Sequence, residues 1–451
     1  MESLQIIESA SLKEALKKID ENGHGIVLTV DKNNEVKGLA TDGDIRRKLL
    51  EGASLDDKLG DLPNKDFIFA SQEASRESLL KQLDHNIRAI PILDKKKRLV
   101  DIVDRNYLPL RLEEPVFSRA RSPVRVSFGG GGSDLTHYFA DKGGAIINSA
   151  ISLYSHATLK KRLDTKIHIY SKDLDAELIA EDFNDAINQD GKFGLVQAII
   201  KSIHPEFGFE LYLHSDFPIN SGLGGSAAIS AAILGCFNQF RQDRWDLHEL
   251  SELAFQAERL YLGIAGGWQD QYATVFGGFN FMEFQMDENI VQSLRINEDT
   301  ILELEESLIL FDTCIAHQSG DIHSDQKKHM ENDSVIEKVK ENVELTYRTR
   351  NHLLRGNLKE FGKALHEAWK LKQQFSTKIS NKRLNDIYNG ALKHGAIGGK
   401  LLGAGGGGFF LFYAEPFKRK SVVDFLESEG LKNVPFRFDE KGLRTWSTRE
   451  K

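Results

Sequence analysis

The sequence predicts an α+β chain in which a small repeated module precedes a larger, glycine-rich part. Three observations lead there. The first 110 or so residues carry a degenerate repeat. The stretch PLRLEEPVFS, residues 109–118, has two prolines and two acids and no clear period, as a linker does. From Arg119 onward, strand-like and helical segments alternate around clusters of glycine. A chain of 451 residues is also too long for one ordinary domain.

The repeat comes first. One copy, GHGIVLTVDKNNEVKGLATDGD, runs from Gly23 to Asp44; the other, NIRAIPILDKKKRLVDIVDRNY, runs from Asn86 to Tyr107. Asp31 aligns with Asp94 and Val36 with Leu99. Each copy is an apolar run, a charged turn and a second apolar run, which reads as a β-hairpin. A helical segment precedes each. Before the first, Ser11 and Glu14 have capping-box spacing, and Ala15, Leu16 and Ile19 follow at helical intervals. Two such half-modules packed together would bury what neither buries alone.

Composition bounds what the larger part does. Hydrophobic residues make up 40% and charged residues 28%, the balance of a soluble globular protein. A net charge of −8 speaks against a nucleic-acid partner but leaves anionic small molecules open, since a phosphate site needs only a few local donors. The two cysteines, Cys236 and Cys314, support neither a disulfide framework nor a cysteine zinc site and fit a reducing compartment. The start MESLQIIESA lacks a basic n-region, and no uncharged apolar run reaches roughly 18 residues. No membrane association is expected, and the cytoplasm is the expected location.

Arg121 to Leu135 reads RSPVRVSFGGGGSDL. VRVSF alternates as a strand, and the glycines let the backbone turn closely around a ligand. Arg125 offers a fixed cation and Asp134 a carboxylate for substrate hydroxyls. The competing reading is a flexible turn with two surface charges. Asp216 to Gly235, DFPINSGLGGSAAISAAILG, carries a glycine turn straight into the small residues Ser226, Ala227 and Ala228 that begin a helix. Free N–H groups and the positive end of the helix dipole would face phosphate oxygens there. The competing reading is an ordinary turn before a buried Ala-rich helix. No Walker A loop occurs, and the G-x-G-x-x-G letters of Gly403 to Gly408 open a strand rather than a helix, against a dinucleotide site. In FQAERLYLGIAGGWQDQYATVFGGF, Glu258 lies on an expected helix that Gly263, Gly266 and Gly267 break before Asp270. Two such carboxylates suit a divalent cation and a hydroxyl nucleophile respectively, or else a surface glutamate and a helix cap.

Together, the RSPVRVSFGGGGSDL turn, the P-x-x-x-G-L-G-x-S-A loop at Pro218 to Ala227, and K-L-L-G-A-G-G-G-G-F at Lys400 to Phe409 resemble the GHMP kinase family, from about Arg119 to the C-terminus. The resemblance implies a two-lobed GHMP kinase fold, an active site between lobes, and ATP with Mg²⁺. It implies that Ser221, Gly222, Leu223, Gly224, Gly225, Ser226 and Ala227 cradle the triphosphate, with Ser226 and Glu258 at Mg²⁺. Asp270 would lie beside the acceptor hydroxyl as base or electrostatic orienter. Asp134 would bind the sugar beside Gly131, Gly132 and Ser133, and Gly405, Gly406 and Gly407, with Gly408, would shape the substrate side. Two departures stand out. Arg125 replaces the lysine of many members and cannot act as a base, so it positions and stabilises charge; Gly225 replaces a serine, which removes one hydroxyl.

Within the family, FGGGGSDL, GGWQDQYA and GGKLLGAGGGGF are most similar to the branch acting on D-glycero-D-manno-heptose 7-phosphate, so a sugar phosphate is the expected partner; fucokinase-like members share the same flavour. His317, Ser319, Lys370 and Lys372 are candidate donors to the acceptor's existing phosphate. The N-terminal repeat resembles a CBS domain pair. That implies an adenine nucleotide effector, with Thr41 and Asp44 at a ribose and Asp104 and Tyr107 at the equivalent places of the second half, or else a purely structural, dimerising role with a homodimer as the assembly. The expected division is residues 1–112 for the CBS pair, 113–118 for the linker, 119–300 for the first kinase lobe and 301–451 for the second. A GHMP-like fold that binds ligands without turnover is the remaining alternative, and the joint presence of Ser226, Glu258 and Asp270 weighs against it.

Overall fold

The computed structural model describes residues 2–83, 87–104, 117–219, 221–315, 325 and 333–448. The chain divides into two units, Met1–Leu112 and Glu113–Lys451.

In the N-terminal unit the repeat folds as two like halves. Ile26–Val30 pairs antiparallel with Val36–Thr41, and Ala89–Leu93 with Leu99–Asp104, in the same register: Val30 opposite Val36 and Leu93 opposite Leu99. The aligned aspartates set both turns. Asp31 Oδ1 accepts from the amides of Asn33 and Glu35 at 2.8 and 3.0 Å, and Asp94 Oδ1 from those of Lys96 and Arg98 at 2.8 and 2.9 Å. Each hairpin gains a parallel third strand, Gln5–Ile7 or Ala70–Ser71. Leu28, Val30 and Val36 share one apolar cluster with Ala89, Leu93 and Leu99, so each half buries the other's open face. Ser11 and Glu14 form the expected reciprocal cap of the helix Leu12–Asn22.

The larger unit is built on an eight-stranded sheet. Its axis is the long strand Gly144–Lys161, paired with Phe117–Gly129 along one edge and with Phe209–Ser215 and Phe279–Phe284 along the other. The helix Gly225–Asn238 is buried from Ala227 to Asn238 apart from Ile229. Its Ala, Gly and Ser side chains are what let a helix lie so close to a sheet. A second sheet of four strands, in the order Ala396–Leu401, Phe409–Ala414, Leu308–Asp312, Lys432–Asn433, carries helices Leu358–Lys372, Lys382–Lys393 and Pro416–Ser428. Between residues 333 and 393 the chain is mostly helical, in Asp333–Leu354, Leu358–Lys372 and Lys382–Lys393. The strand Phe409–Ala414, which follows the final glycine run, is not the last of the chain. Arg444–Thr448 pairs antiparallel with Phe117–Gly129, Trp446 opposite Arg119. The run RTWST has no apolar alternation, because it lies at the sheet edge with its outward face exposed, so period gave no signal for it. Among the described residues, no helix is long and apolar enough to cross a membrane.

Cys236 sits inside the helix Gly225–Asn238, its thiol against the carbonyls of Ser118 and Ala157 at 3.7 and 3.5 Å, and burial pushes it up to about 12. Cys314 is exposed. Titration of the native protein with an aromatic disulfide reagent is expected to modify Cys314 rapidly and Cys236 only after denaturation. Rapid modification of both thiols in native buffer would refute this packing.

Candidate active site

A cavity of about 530 Å³ opens in the larger unit. Part of its wall is apolar, formed by Leu174, Phe193, Val196, Leu213, Phe217 and Ile229. Another part is charged, with Arg125, Asp134, Asp270 and Lys372. The glycine loop and the start of the helix Gly225–Asn238 complete it through Ser221, Gly222, Gly224, Gly225 and Ser226. The sequence therefore brings its first two glycine segments and both carboxylates to one place.

The loop has the form an anion needs. Gly224 occupies the N-cap at φ +83° and uses no side-chain cap, so the first amides of the helix are left to a ligand. The φ of +83° favours glycine there, and a Cβ would also come within 3.2 Å of the Asp270 carboxylate. Leu223 and Ala227 are fully buried in the core and do not line the cavity.

Arg125 ties this loop to Asp270. Its Nε and Nη2 donate to Asp270 Oδ1 and Oδ2 at 2.8 Å each, and its Nη1 donates to the Gly222 carbonyl at 2.8 Å. The guanidinium is 3% exposed and the carboxylate 23%. Asp270 lies in the first turn of Gln269–Phe276, whose N-cap is Trp268 with no side-chain cap bond, so it does not serve as the helix cap. Arg125 is therefore not a free cation awaiting phosphate; it is an orienting group with all three nitrogens engaged.

Glu258 stands where the helix Leu247–Gln256 widens into a π turn, Ala257–Tyr261. Ser226 Oγ donates to Glu258 Oε1, and Gln271 Nε2 donates to Glu258 Oε2 at 2.7 Å. Hydroxyl and carboxylate are hard oxygen donors of the kind Mg²⁺ takes. Among the described residues no group of three or more His, Cys, Asp or Glu forms a metal site, so the chain would supply part of a shell that phosphates and water complete. Asp134 is buried, and burial, with the Asp270 charge behind it, raises its pKa. Its oxygens accept from the amides of Gly132 and Gln269 at 3.3 Å. A side chain at Gly267 would meet Asp134 Oδ2 at 1.9 Å, so that glycine is required for the carboxylate to sit there.

Some expectations change. Gly131 and Gly132 line the cavity, but Ser133 is fully buried, donating to the Ala145 carbonyl and accepting from the Ala145 amide at 3.1 Å each; it fixes the turn rather than a substrate. The final glycine run meets the cavity through Gly403 and Ala404. Gly405 and Gly406 lie against Ile379 and Gly407 against Ile315, so these three hold the loop from behind. Lys372 lines the cavity, with Nζ on the Gly403 carbonyl, whereas Lys370 is exposed beside the Tyr388 ring. His317, Ser319 and Tyr107 lie outside the described residues. In the N-terminal unit Thr41 and Asp44 form the capping box of Asp42–Leu50, and Asp44 also holds Arg47. Asp104 pairs with His24 at 2.6 Å.

Gln271 and Lys400 escaped the sequence reading. Lys400 is 3% exposed, and burial, then the charges of Lys372 and Arg125, push its pKa well down. A lone cation in the strand AIGGKL was a legible sign of a buried charge.

Comparison with known proteins agrees with this geometry. Models of the GHMP kinase N-terminal and C-terminal domains match residues 194–278 and 351–432, and the CBS domain model matches 4–51 and 59–108. The D-glycero-alpha-D-manno-heptose 7-phosphate kinase of Campylobacter jejuni is 34% identical over 334 residues, 73% of this chain and 98% of that protein. The bifunctional fucokinase/GDP-fucose pyrophosphorylase of Arabidopsis thaliana is 28% identical over 361 residues, 75% of this chain and 33% of that protein. A crystal structure described as a D-glycero-D-manno-heptose 1-phosphate kinase from Bacteroides thetaiotaomicron superposes with a TM-score of 0.62 at 29% identity, over 74% of this chain and 100% of that one.

Removing one partner of a buried ion pair strands the other, at a cost of about 3 kcal/mol. Arg125→Ala is expected to lower the stability of the larger unit by that order, and Arg125→Ala/Asp270→Ala to recover part of the loss. Chemical denaturation followed by tryptophan fluorescence measures both; strictly additive effects would mean the pair is not coupled.

Proposed function

The chain belongs to the GHMP kinases, as an ATP-dependent sugar kinase preceded by a CBS pair, and from that premise we propose that it phosphorylates a heptose phosphate. The reaction we assign is transfer of the γ-phosphoryl group of ATP to the anomeric hydroxyl of D-glycero-D-manno-heptose 7-phosphate. The product, the 1,7-bisphosphate, would lead toward nucleotide-activated heptose and surface polysaccharide. The observation that carries the reading is Asp270, held by two bonds from Arg125 in the cavity wall that also presents Asp134, with the glycine loop against it.

Each side chain then has a role. The apolar wall takes the adenine ring, and the Ser221–Ala227 backbone takes the phosphates. Ser226 and Glu258 hold Mg²⁺, which when bound neutralises charge on the phosphates. Asp270 accepts the hydrogen bond of the acceptor hydroxyl and aims its oxygen, while Arg125 fixes Asp270 and the loop in one register. Asp134, with Gly131 and Gly132, receives the remaining sugar hydroxyls. The Arabidopsis relative favours a second reading, a free sugar such as fucose as acceptor. In the CBS pair, an adenine nucleotide would use the first half near Thr41 and Asp44, the half that keeps the sequence G-L-A-T-x-x-D.

Coupled ADP release with Mg²⁺-ATP, tested on the heptose 7-phosphate, sedoheptulose 7-phosphate, fucose and mannose, is expected to show turnover on the heptose phosphate and a roughly 10³-fold lower kcat for Asp270→Asn. Turnover on a free sugar alone would overturn the heptose assignment, and none on any sugar, with or without AMP, would favour a binding protein. Gln271→Leu frees Glu258 from its supporting amide. It is expected to raise the Mg²⁺ concentration for half-maximal rate by about tenfold, with kcat at saturating Mg²⁺ near that of the wild type. An unchanged Mg²⁺ titration would remove Glu258 from the metal site.

A further inference from the structure

The loop that meets the phosphates has no cation of its own. Pro218 to Ala227 reads PINSGLGGSA, without Lys or Arg. Phosphoryl transfer spreads negative charge over the moving group and is stabilised by a fixed positive one. Four cations line the cavity, Arg125, Lys192, Arg259 and Lys372. Arg125 is spent on Asp270 and Gly222. Arg259 pairs with the Glu258 carboxylate at 3.4 Å and donates to the carbonyls of Ile264 and Gly267 at 3.2 Å, which holds the glycine turn before Asp270. Lys192 is exposed and donates to the Leu174 carbonyl, in the apolar wall.

Lys372 differs from all three. It is buried, and among the described residues its one bond goes to the Gly403 carbonyl, leaving two N–H donors for a ligand. Gly403 lies directly on the phosphate loop: a side chain there would meet the Gly222 carbonyl at 2.6 Å. That carbonyl is the one Arg125 holds. The ammonium is thus anchored, through Gly403, on the Gly222 turn that Arg125 joins to Asp270.

We propose that Lys372, at the end of the helix Leu358–Lys372, is the catalytic cation that contacts the γ-phosphoryl group during transfer. The proposal rests on the kinase reading above. In the step, the bond from the γ-phosphorus to the β,γ-bridging oxygen breaks and its electron pair leaves with ADP. The bond to the acceptor oxygen forms, and the acceptor's proton passes to the Asp270 carboxylate. Lys372 bonds the equatorial oxygens throughout. Burial and the Arg125 charge bring its pKa down to about 8, against the pull of Asp134 and Asp270. An incoming trianion relieves this crowding of cations, which favours the anion in that place.

The test compares wild type with Lys372→Met and Lys372→Arg, each checked for an unchanged melting transition. For Lys372→Met, kcat on the heptose 7-phosphate is expected to fall about 10²–10³-fold while the acceptor KM stays within a few-fold. Lys372→Arg, which keeps the charge, is expected to recover part of the rate. Equilibrium binding supplies the decisive readout: the wild type's preference for AMPPNP over ADP should collapse in Lys372→Met, with ADP affinity unchanged. Unchanged kcat and an unchanged AMPPNP-to-ADP ratio would overturn the proposal. So would an intact ratio with loss of the preference for phosphorylated over free heptose, which would give Lys372 to the acceptor's own phosphate. A wild type that turns over no sugar would instead overturn the kinase reading, and AMPPNP binding would still report on Lys372.

Discussion

A guanidinium buried in a β-strand has to find its counter-charge inside the protein, and the way Arg125 finds it organises the whole site. Its two bonds to Asp270 and third to the Gly222 carbonyl join a strand of the central sheet, a helix some 145 residues further on, and the loop between them in sequence. Such a pair adds little net stability over apolar packing, because desolvation offsets most of the attraction. What it confers is geometry: the fork of the guanidinium admits one orientation of the carboxylate. The glycines follow from this. Gly224, at φ +83°, has Asp270 within 3.2 Å of where a Cβ would stand, and Gly267 is bare because Asp134 fills that place.

Much of this was legible. The repeat showed in the alignment of Asp31 with Asp94, since an aspartate that caps a hairpin turn must recur at the same offset in both copies. The loop before Ser226 showed because only glycine and small residues let a chain turn that tightly into a buried helix. Glu258 and Asp270 were visible as carboxylates beside glycines, and only the family resemblance set Glu258 beside Ser226. Nothing in sequence spacing says that one meets Ser226 and the other Arg125, because those contacts are made by tertiary packing. Ser133 and Gly405–Gly407 were placed at the substrate by motif alone. A conspicuous motif residue serves either the ligand or the backbone behind it, and only coordinates separate Gly403, at the cavity, from Gly405, against Ile379.

The apolar wall was the least legible part. Leu174, Phe193, Leu213 and Ile229 come from a turn, a helix start, a strand and a helix, and in each the side chain reads as ordinary core. A binding wall made of such residues carries no compositional mark, in contrast to charged residues that must be explained wherever they are buried.

The late strand Arg444–Thr448 has a consequence of another kind. It completes the sheet beside Phe117–Gly129, the strand that carries Arg125, and the residues just before it bind the end of the Asp270 helix, with the Leu443 amide on the Val275 carbonyl. A chain emerging from the ribosome presents Arg125 more than three hundred residues before its edge partner exists. The CBS pair, made of local hairpins, has both hairpins synthesised long before then. The larger unit can only wait, its sheet edge open, and so it is the part with most to gain from a chaperone during synthesis and most to lose from trimming or crowding at the C-terminal end.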